Sequence, residues 1–384
     1  MADVEPPDGP LGEEVAALAL VDHHAHGALR RDLARAGFEA MLTEAPHASP
    51  LATPFDSQVG FAIRRWCAPL LDLPAHASAD DYWEARARLG NDEVTRRLLR
   101  ATGTSAYLLD TGLPGDDVLD VDGHAAASQA TVREVVRLET VAESLLAQTG
   151  SSDAFLAGFA DRLAEATADA VGVKSILAYR HGFDIPAARP SADEVRAGAD
   201  ATLRVAGGRD DRPRVTDPAL LRHLLWCGVD RGLPLQLHAG YGDRDLDLHR
   251  ANPILLTSWL REVEGAGVPV MLLHCYPYHR EAGYLAQVFD NVFFDVGLTA
   301  GHVGAQSSQV VAESLELAPF HKQLYSSDGY GPAELHLLGS VLWRRAVADV
   351  IGGWVTRGDW SVHDAARVVR LVGSENARRV YRLA

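Results

Sequence analysis

The sequence predicts an α/β fold, a (β/α)8 barrel, and three observations support this. Eight short apolar segments alternate with longer amphipathic segments along the 384 residues. The apolar segments are nearly continuous hydrophobic runs, which is typical of parallel strands that are buried on both faces of a sheet. Most of these segments end in a polar or charged residue, and a barrel of this kind gathers its active site at those strand ends.

The eight predicted strands are ALALVDHHAH, TSAYLLDTG, VREVVRLET, VGVKSILAYR, LPLQLHAG, VPVMLLHCY, NVFFDVGLT and KQLYSSDG. Helical patterns lie between them, and SDAFLAGFADRLAEATADAV repeats apolar residues at helical spacing after a Ser-Asp start. Most intervals between strand ends suit one strand-plus-helix unit of about 30 residues. The intervals from His26 to Asp110 and from Lys174 to His238 are longer and predict insertions.

The first long interval predicts a helical insertion over about residues 28–103. Its segments FDSQVGFAIRRWCAPLLDL and ADDYWEARARLGNDEVTRRLLRATG both have helical patterns. We expect this insertion to follow the first strand and to cap the barrel. No Gly/Ser-rich linker marks a domain boundary. We therefore predict a flexible N-terminus over 1–16 and a single domain over 17–384.

Composition restricts the classes of partner. The chain carries 36 basic and 52 acidic residues, a net charge of -16, which disfavours binding to nucleic acid. The three cysteines are too few for a disulfide framework and suit a reducing compartment. Neither a signal peptide nor an apolar run of about 18 residues is visible. We expect a cytoplasmic, soluble protein that acts on a small molecule, without a membrane partner.

The segment LVDHHAHG, residues 20–27, predicts a metal site at the end of the first strand. Residues i and i+2 of a strand point to the same side, so His24 and His26 project together. Two imidazoles on one side can hold one cation. His23 faces the other side, and we expect it to pack or to support the site.

Later strand ends offer further ligands for the same metal. His238 in LPLQLHAGYGD supplies a third imidazole, and Asp328 in LYSSDG supplies a carboxylate. His274 in VMLLHCYPYHREAGY lies nearby if the barrel is correct. Such nitrogen and oxygen donors, without thiolate, suit Zn²⁺, Mn²⁺, Fe²⁺ or Ni²⁺.

Three charged residues are candidates for binding the substrate. Arg180 in YRHGFD and Arg280 in YHRE could each hold a substrate carboxylate, because a guanidinium binds carboxylates with two parallel hydrogen bonds. Glu139 in RLET could hold an amine. Surface or inter-strand salt bridges account for each of these residues at least as well.

The pattern D-x-H-x-H in VDHHAH, two later strand-end histidines and the aspartate of SSDG resemble the amidohydrolase superfamily, in its amidohydrolase-2 branch. The resemblance is greatest to the amidohydrolase-like half of nodulin and fungal sporulation proteins, which fuse it to a glutamine synthetase domain. The segments that carry it are GVKSILAYRHG, LQLHAGYGDRDLDLHRANPILL, LLHCYPYHREAGYLAQVFDNVFFDVGL and the tail GSENARRVYRL.

The resemblance implies a distorted TIM (β/α)8 barrel with one or two divalent metals, most readily Zn²⁺. His24, His26, His238 and Asp328 match the family's ligands, and Asp328 also matches the general base on the attacking water. His274 matches a histidine that binds a second metal or polarises the substrate. Lys174 stays open between a bridging carbamate and an ion-paired lysine.

The leading hypothesis is a metal-dependent amidohydrolase that cleaves a C–N, amide-type bond of a small, carboxylate-bearing substrate with a metal-activated water. A metal-dependent non-oxidative decarboxylase is the first alternative, because the amidohydrolase-2 branch contains both activities. A non-catalytic metal-binding module is the second. The resemblance also suggests a functional link to a glutamine-synthetase-type enzyme, and a homo-oligomer stays open.

Overall fold

The computed structural model describes Val4 and residues 6–112, 117–207 and 212–384. Seven β-strands lie in these ranges, and each falls within or overlaps one of the first seven predicted segments. They are β1 Leu20–Ala25, β2 Thr104–Asp110, β3 Thr131–Arg137, β4 Gly172–Ser175, β5 Leu235–Ala239, β6 Val270–His274 and β7 Val292–Phe294. The pairs described below are parallel, so the prediction of a parallel α/β fold is confirmed.

Eighteen α-helices accompany the strands in the described ranges, and short 3₁₀ and π turns extend several of them. They are α1 Gly12–Ala17, α2 Arg35–Ala40, α3 Gln58–Ala62, α4 Ala79–Leu89, α5 Asn91–Ala101, α6 Val121–Ser128, α7 Leu138–Thr149, α8 Ser152–Ala166, α9 Leu177–Arg180, α10 Ala192–Gly207, α11 Pro218–Asp230, α12 Thr257–Val263, α13 His279–Val288, α14 Thr299–His302, α15 Ser307–Ser314, α16 Ala333–Arg357, α17 Val362–Arg370 and α18 Asn376–Val380. No helix in the described part of the chain is both long enough and apolar enough to cross a membrane.

The chain divides into two compact units. The first comprises Met1–Leu109, Leu113–Arg133 and Asp295–Ala384, and the second comprises Asp110–Gly112 and Glu134–Phe294. The domain boundaries drawn from the sequence stay a prediction.

In the first unit, β1 pairs in parallel with β2, with Leu20 opposite Thr104 and Ala25 opposite Leu109. The predicted insertion over 28–103 contains the helices α2 to α5, while its position as a cap stays a prediction. Apolar side chains of α5, among them Val94 and Leu98, join a buried cluster with residues of α16. Burial of such side chains contributes most of the favourable free energy of folding.

Part of the segment predicted to be flexible belongs to a packed helix. Residues 1–3 and 5 lie outside the described residues, but Leu11 and Val15, at the start of α1, are fully buried. The guanidinium of Arg344 on α16 donates to the backbone oxygens of Val15 and Leu18, the latter at 2.8 Å. These contacts hold the end of α1, because carbonyl groups without a helical partner accept hydrogen bonds from a buried guanidinium there.

In the second unit, β3, β4, β5, β6 and β7 pair in parallel in sequence order. The strands β5 and β6 are buried along their whole length. Burial on both faces suits the apolar residues 270–273 of β6, while β5 also buries Gln236 and His238. Between β4 and β5, a Cβ added to Gly228 of α11 would lie 3.5 Å from side chains of Val173 and Leu235. The helix α11 therefore packs closely on these two strands.

The eighth predicted strand, KQLYSSDG, is wrong as a regular strand. Residues 322–329 are buried but form no strand, and residues 325–329 lie along β1. Backbone hydrogen bonds still join the two segments, from His23 N to Tyr325 O at 3.2 Å, from Asp328 N to His24 O at 3.1 Å and from His26 N to Gly329 O at 2.8 Å. At Asp328 the backbone φ of 47° lies outside the extended region, so the segment cannot continue as a regular strand there.

Candidate metal centre

Three of the predicted ligands converge in the first unit. Nε2 of His24 lies 3.0 Å from Oδ1 of Asp328, and Nε2 of His26 lies 3.5 Å from the same oxygen. The candidate ligand atoms of the three residues all lie within 4.8 Å of one another. The two imidazole rings meet edge to face at 5.2 Å. Alternation along β1 brings both rings to one side, as the sequence predicts.

This donor set fits a divalent cation. Two imidazole nitrogens and one carboxylate oxygen are the donors that borderline metals bind, and no thiolate competes within the cluster. All three side chains are largely buried, with 0%, 11% and 9% of their surfaces exposed. Burial weakens the competition from water for these atoms, so a cation placed among them would be held strongly.

The backbone around Asp328 allows this convergence. The amide of Asp328 donates to the carbonyl of His24, and the amide of His26 donates to the carbonyl of Gly329. Gly329 is needed here, because a Cβ at this position would lie 2.5 Å from the imidazole of His336. The segment that carries the aspartate therefore runs directly against the strand that carries the histidines.

His23 takes no part in this convergence. Its Nε2 lies 2.8 Å from Oδ2 of Asp295, and its Nδ1 lies 3.1 Å from the hydroxyl of Tyr381. Asp295 Oδ1 accepts a hydrogen bond from the amide of Gly297 at 2.8 Å. His23 is fully buried among these partners, which is a supporting position.

The sequence did not predict two residues that lie beside the candidate ligands. Asp22 on β1 accepts hydrogen bonds from Ser327, the residue before Asp328. Burial raises the pKa of Asp22 to about 7, against the lowering effect of these hydrogen bonds. The sequence signal that could have identified Asp22 is its place as the aspartate of the motif D-x-H-x-H. At that place it lies on the same side of β1 as His24 and His26.

Two further buried histidines lie close together in the first unit. The ring centroids of His124 and His336 are 5.2 Å apart, and Nδ1 of His124 accepts a hydrogen bond from the amide of Ala28 at 3.4 Å. Burial lowers the pKa of His124 to about 4 and that of His336 well below its usual range. Burial therefore disfavours the charged form of both imidazoles.

The other predicted histidines lie in the second unit, at the ends of β5 and β6. The ring centroids of His238 and His274 are 4.9 Å apart, and the ring of Tyr179 lies 4.4 Å from that of His238. Both histidines are buried. The pairing of Ala239 with His274 in the β5–β6 register explains why these two residues meet.

Lys174 lies in a buried charged cluster of the second unit. Its Nζ is 3.8 Å from Oδ2 of Asp110, which also accepts hydrogen bonds from Arg137 at 3.1 and 2.7 Å. All three side chains have less than a tenth of their surfaces exposed. Arg137 was missed from the sequence, although its place as the last residue of β3 is the kind of strand-end signal that identified the others.

Two of the three substrate-binding candidates make contacts within their own unit. Oε1 of Glu139 accepts hydrogen bonds from the hydroxyl of Ser175 at 2.5 Å and from the amide of Ile176 at 3.0 Å. Burial raises the pKa of Glu139. Nη1 of Arg180 lies 2.9 Å from Oε1 of Glu143. Arg280 is exposed in the first turn of α13.

The fold and the converging donors agree with the comparisons with known proteins. Residues 147–383, more than half of the chain, match the model of the amidohydrolase family. The chain belongs to this family, and the resemblance read from its motifs is confirmed. The family and the donor set together imply a divalent metal.

Among individual proteins, the chain is similar to protein fluG of Emericella nidulans, with 31% identity over 404 aligned residues. The match covers 95% of this chain and 46% of that protein, so the chain spans about half the length of this curated relative. The structure resembles that of a protein described as a metal-dependent hydrolase from Lactobacillus casei, with 28% identity, 98% of both chains covered and a TM-score of 0.86. A uronate isomerase from Thermotoga maritima shares the fold, with 12% identity, 96% of each chain covered and a TM-score of 0.63.

Proposed function

We propose that the protein is a metal-dependent hydrolase that cleaves a C–N, amide-type bond of a small, carboxylate-bearing substrate. The observation that carries this proposal is the convergence of His24, His26 and Asp328 in a buried cluster. The family membership supports hydrolysis, because the matching model is that of amidohydrolases. Zn²⁺ is the proposed metal, since its preferences include imidazole and carboxylate donors.

In this proposal, the imidazoles of His24 and His26 and the carboxylate of Asp328 would hold the cation. A divalent cation bound there supplies Lewis acidity, which activates water and polarises the bond to be cleaved. Asp328 would accept a proton from the attacking water, because its carboxylate faces the same point as the two imidazoles. Burial of the site limits competing bulk water and strengthens each electrostatic contact.

The resemblance extends the proposal to residues of the second unit. His238 is proposed as a further ligand, and His274 as a ligand of a second metal or as a group that polarises the substrate. Lys174 is proposed either as a bridging carbamate or as an ion-paired lysine, and its approach to Asp110 supports the second role. Arg180, Arg280 and Glu139 stay proposed substrate-binding residues, and the contacts of Arg180 and Glu139 equally support a structural role.

The experiment combines metal analysis with a product assay. We expect about one or two equivalents of a divalent metal after dialysis without chelator, because the donor set suits such an ion. The protein is then tested on a panel of primary and substituted amides of small carboxylic acids. Release of ammonia or an amine supports the hydrolase, while release of carbon dioxide from carboxylated substrates would identify a decarboxylase.

Two controls make this assay specific. Protein that carries His24→Ala should release neither product, and protein that carries His363→Ala, an exposed histidine of α17, should behave as the wild type. Folded wild-type protein without metal would contradict the proposal. The cytoplasmic location and the functional link to a glutamine-synthetase-type enzyme remain proposals that rest on composition and on the resemblance.

A further inference from the structure

The side chain of Asp22 is directed at the segment that carries Asp328. Asp22 lies two residues before His24 on β1, so it shares a strand face with the predicted ligands. Only 1% of Asp22 is exposed. Its Oδ1 accepts a hydrogen bond from the amide of Ser327 at 3.0 Å, and its Oδ2 accepts one from the hydroxyl of Ser327 at 2.5 Å.

The hydroxyl of Ser327 also binds the residue that follows Asp328. Because its hydroxyl hydrogen is donated to Asp22, its oxygen is free to accept, and it accepts the amide hydrogen of Gly329 at 2.9 Å. The carbonyl of Ser327 accepts a hydrogen bond from the amide of Leu298 at 3.0 Å. Asp22 therefore binds the residue before Asp328 directly, and the hydroxyl of Ser327 connects it to the residue after Asp328.

The backbone of Asp328 needs such a restraint. Its φ of 47° is in the left-handed region, which L-residues other than glycine occupy at an energetic cost. Strained residues of this kind persist where the surrounding structure over-determines their conformation. The helix α16 also packs closely on Ser327, because a Cβ added to Gly339 of that helix would lie 2.5 Å from the Cβ of Ser327.

We infer that Asp22 and Ser327 are positioning residues, which orient Asp328 for binding the metal. They hold the left-handed turn at Asp328, so that its carboxylate oxygen stays 3.0 and 3.5 Å from the imidazoles of His24 and His26. Groups that orient metal ligands commonly change metal affinity by about 10–100-fold when they are removed. The inference rests on the proposed metal centre and adds to it two residues that lie outside the proposed ligand set.

The test titrates Co²⁺ alone into metal-free protein, with the Co²⁺ absorption spectrum and calorimetry as readouts. Ser327→Ala removes the hydroxyl that joins Asp22 to Gly329, and we expect Co²⁺ to bind about 10–100-fold more weakly. The absorption bands should shift as well, because Asp328 would approach the ion differently. Asp22→Asn keeps the size of the side chain and should weaken binding in the same direction.

Ser326→Ala is the matched control. It makes the same chemical change at the preceding buried serine, whose hydroxyl has no hydrogen-bond partner among the described residues. We expect its Co²⁺ affinity and spectrum to match the wild type. The melting temperature of each metal-free variant reports folding separately, so a role in folding alone would lower that temperature and leave the affinity unchanged.

The outcomes separate this inference from the proposed function. If the wild type binds Co²⁺ and both folded variants bind it equally well with the same spectrum, the positioning role is wrong while the metal centre stands. If the folded wild type binds no Co²⁺, the metal centre itself is wrong, and the inference is overturned with it. Should Ser327→Ala fail to fold, the isosteric Asp22→Asn decides between these outcomes.

Discussion

His23 and Asp295 form a buried pair, with 2.8 Å between Nε2 and Oδ2 and no exposed side-chain surface on either residue. The next residue along the strand, His24, points the other way and places its Nε2 3.0 Å from Asp328. Adjacent histidines of one strand thus serve different partners, as alternation along a strand requires. Substitutions at these neighbours should separate metal binding from stability.

We expect His24→Ala and His26→Ala each to lose the metal or to bind it much more weakly, because each removes one of three converging donors. His23→Ala should keep the metal but lower the melting temperature, since it leaves the buried Asp295 without its imidazole. Elemental analysis and thermal unfolding measure the two effects. If His23→Ala lost the metal while His24→Ala and His26→Ala kept it, the assignment of which β1 side chains face the metal would be wrong.

Asp328→Asn tests the proposed proton transfer. Asparagine keeps the size and one oxygen, so metal should still bind, although less tightly. It cannot accept the proton of the attacking water, and loss of a general base commonly lowers kcat by about 10²–10⁴-fold. The measurement is kcat on an amide that the product assay identifies, with metal content determined on the same sample. Near-normal turnover would mean that another group is the base, and His274 would be tested next.

Lys174→Met distinguishes the two proposed roles of the lysine. If Lys174 is a bridging carbamate, metal content should fall from two equivalents to one. If it is an ion-paired lysine beside Asp110, metal content should stay the same while stability or substrate affinity falls, because a buried carboxylate loses one neighbouring cation. Elemental analysis, thermal unfolding and substrate titration decide the question, and a variant unchanged in metal content, stability and substrate affinity would exclude both roles. Arg189→Met, which alters an exposed ion pair with Asp230, is the control.

Local pattern was sufficient to predict where His24 and His26 point. Alternation is a property of the strand itself, so the D-x-H-x-H segment specifies its faces without knowledge of the rest of the chain. Asp328 was also predicted, although its segment forms no regular strand. The aspartate needs only to lie beside β1, and three backbone hydrogen bonds between the segments achieve that without regular pairing.

The partnerships between distant residues could not be predicted in this way. Nothing near Asp22 indicates that Ser327 binds both of its oxygens, and nothing near His23 indicates Asp295. Such contacts depend on how separate segments pack, which hydrophobic periodicity does not specify. Glu139 shows the same limit, because its sequence context does not reveal the amide of Ile176 that it binds.

A buried ion pair attaches the predicted insertion to the start of α16. Nε of Arg86 on α4 lies 2.8 Å from Oε1 of Glu334, with 2% and 0% of the side chains exposed. The hydroxyl of Tyr82 donates to the same oxygen at 2.9 Å. We expect Arg86→Leu to lower the free energy of unfolding by about 3–5 kcal/mol, because it leaves a buried carboxylate without its cation.

Urea unfolding measures this effect, and a matched substitution controls for the loss of an arginine. Arg31→Leu removes an ion pair with Asp117 that has similar distances, but both of its side chains are more than half exposed. We expect no measurable change in its urea midpoint, since exposed pairs contribute little. Equal effects of the two substitutions would show that burial of the Arg86 pair does not decide its contribution.

The buried imidazole of His124 should make stability depend on pH between about 6.5 and 4. Burial lowers the pKa of His124 from 6.5 to about 4, so the folded protein keeps it neutral while the unfolded chain takes up a proton below 6.5. Its contribution to stability is therefore complete above pH 6.5 and is lost as the pH falls towards 4. The lower pKa of His124 in the folded protein corresponds to about 3 kcal/mol of unfolding free energy in total. About 2 kcal/mol of this should be lost by pH 5.

His124→Gln removes this titration, and the comparison with wild type cancels the acid-sensitive groups that lie away from His124 and its neighbour His336. We expect the variant to be less stable than wild type at pH 7, because it loses the edge-to-face contact between His124 and Tyr107, whose ring centroids are 4.8 Å apart. The stability gap, which is the free energy of unfolding of the wild type minus that of the variant, should narrow by about 2 kcal/mol between pH 7 and pH 5. Urea unfolding in the presence of a chelator measures the gap, so that release of metal at low pH does not contribute.

His363→Gln, at an exposed histidine, should keep a constant gap across the same range. A constant gap for His124→Gln as well would show that His124 titrates alike in the folded and unfolded chain.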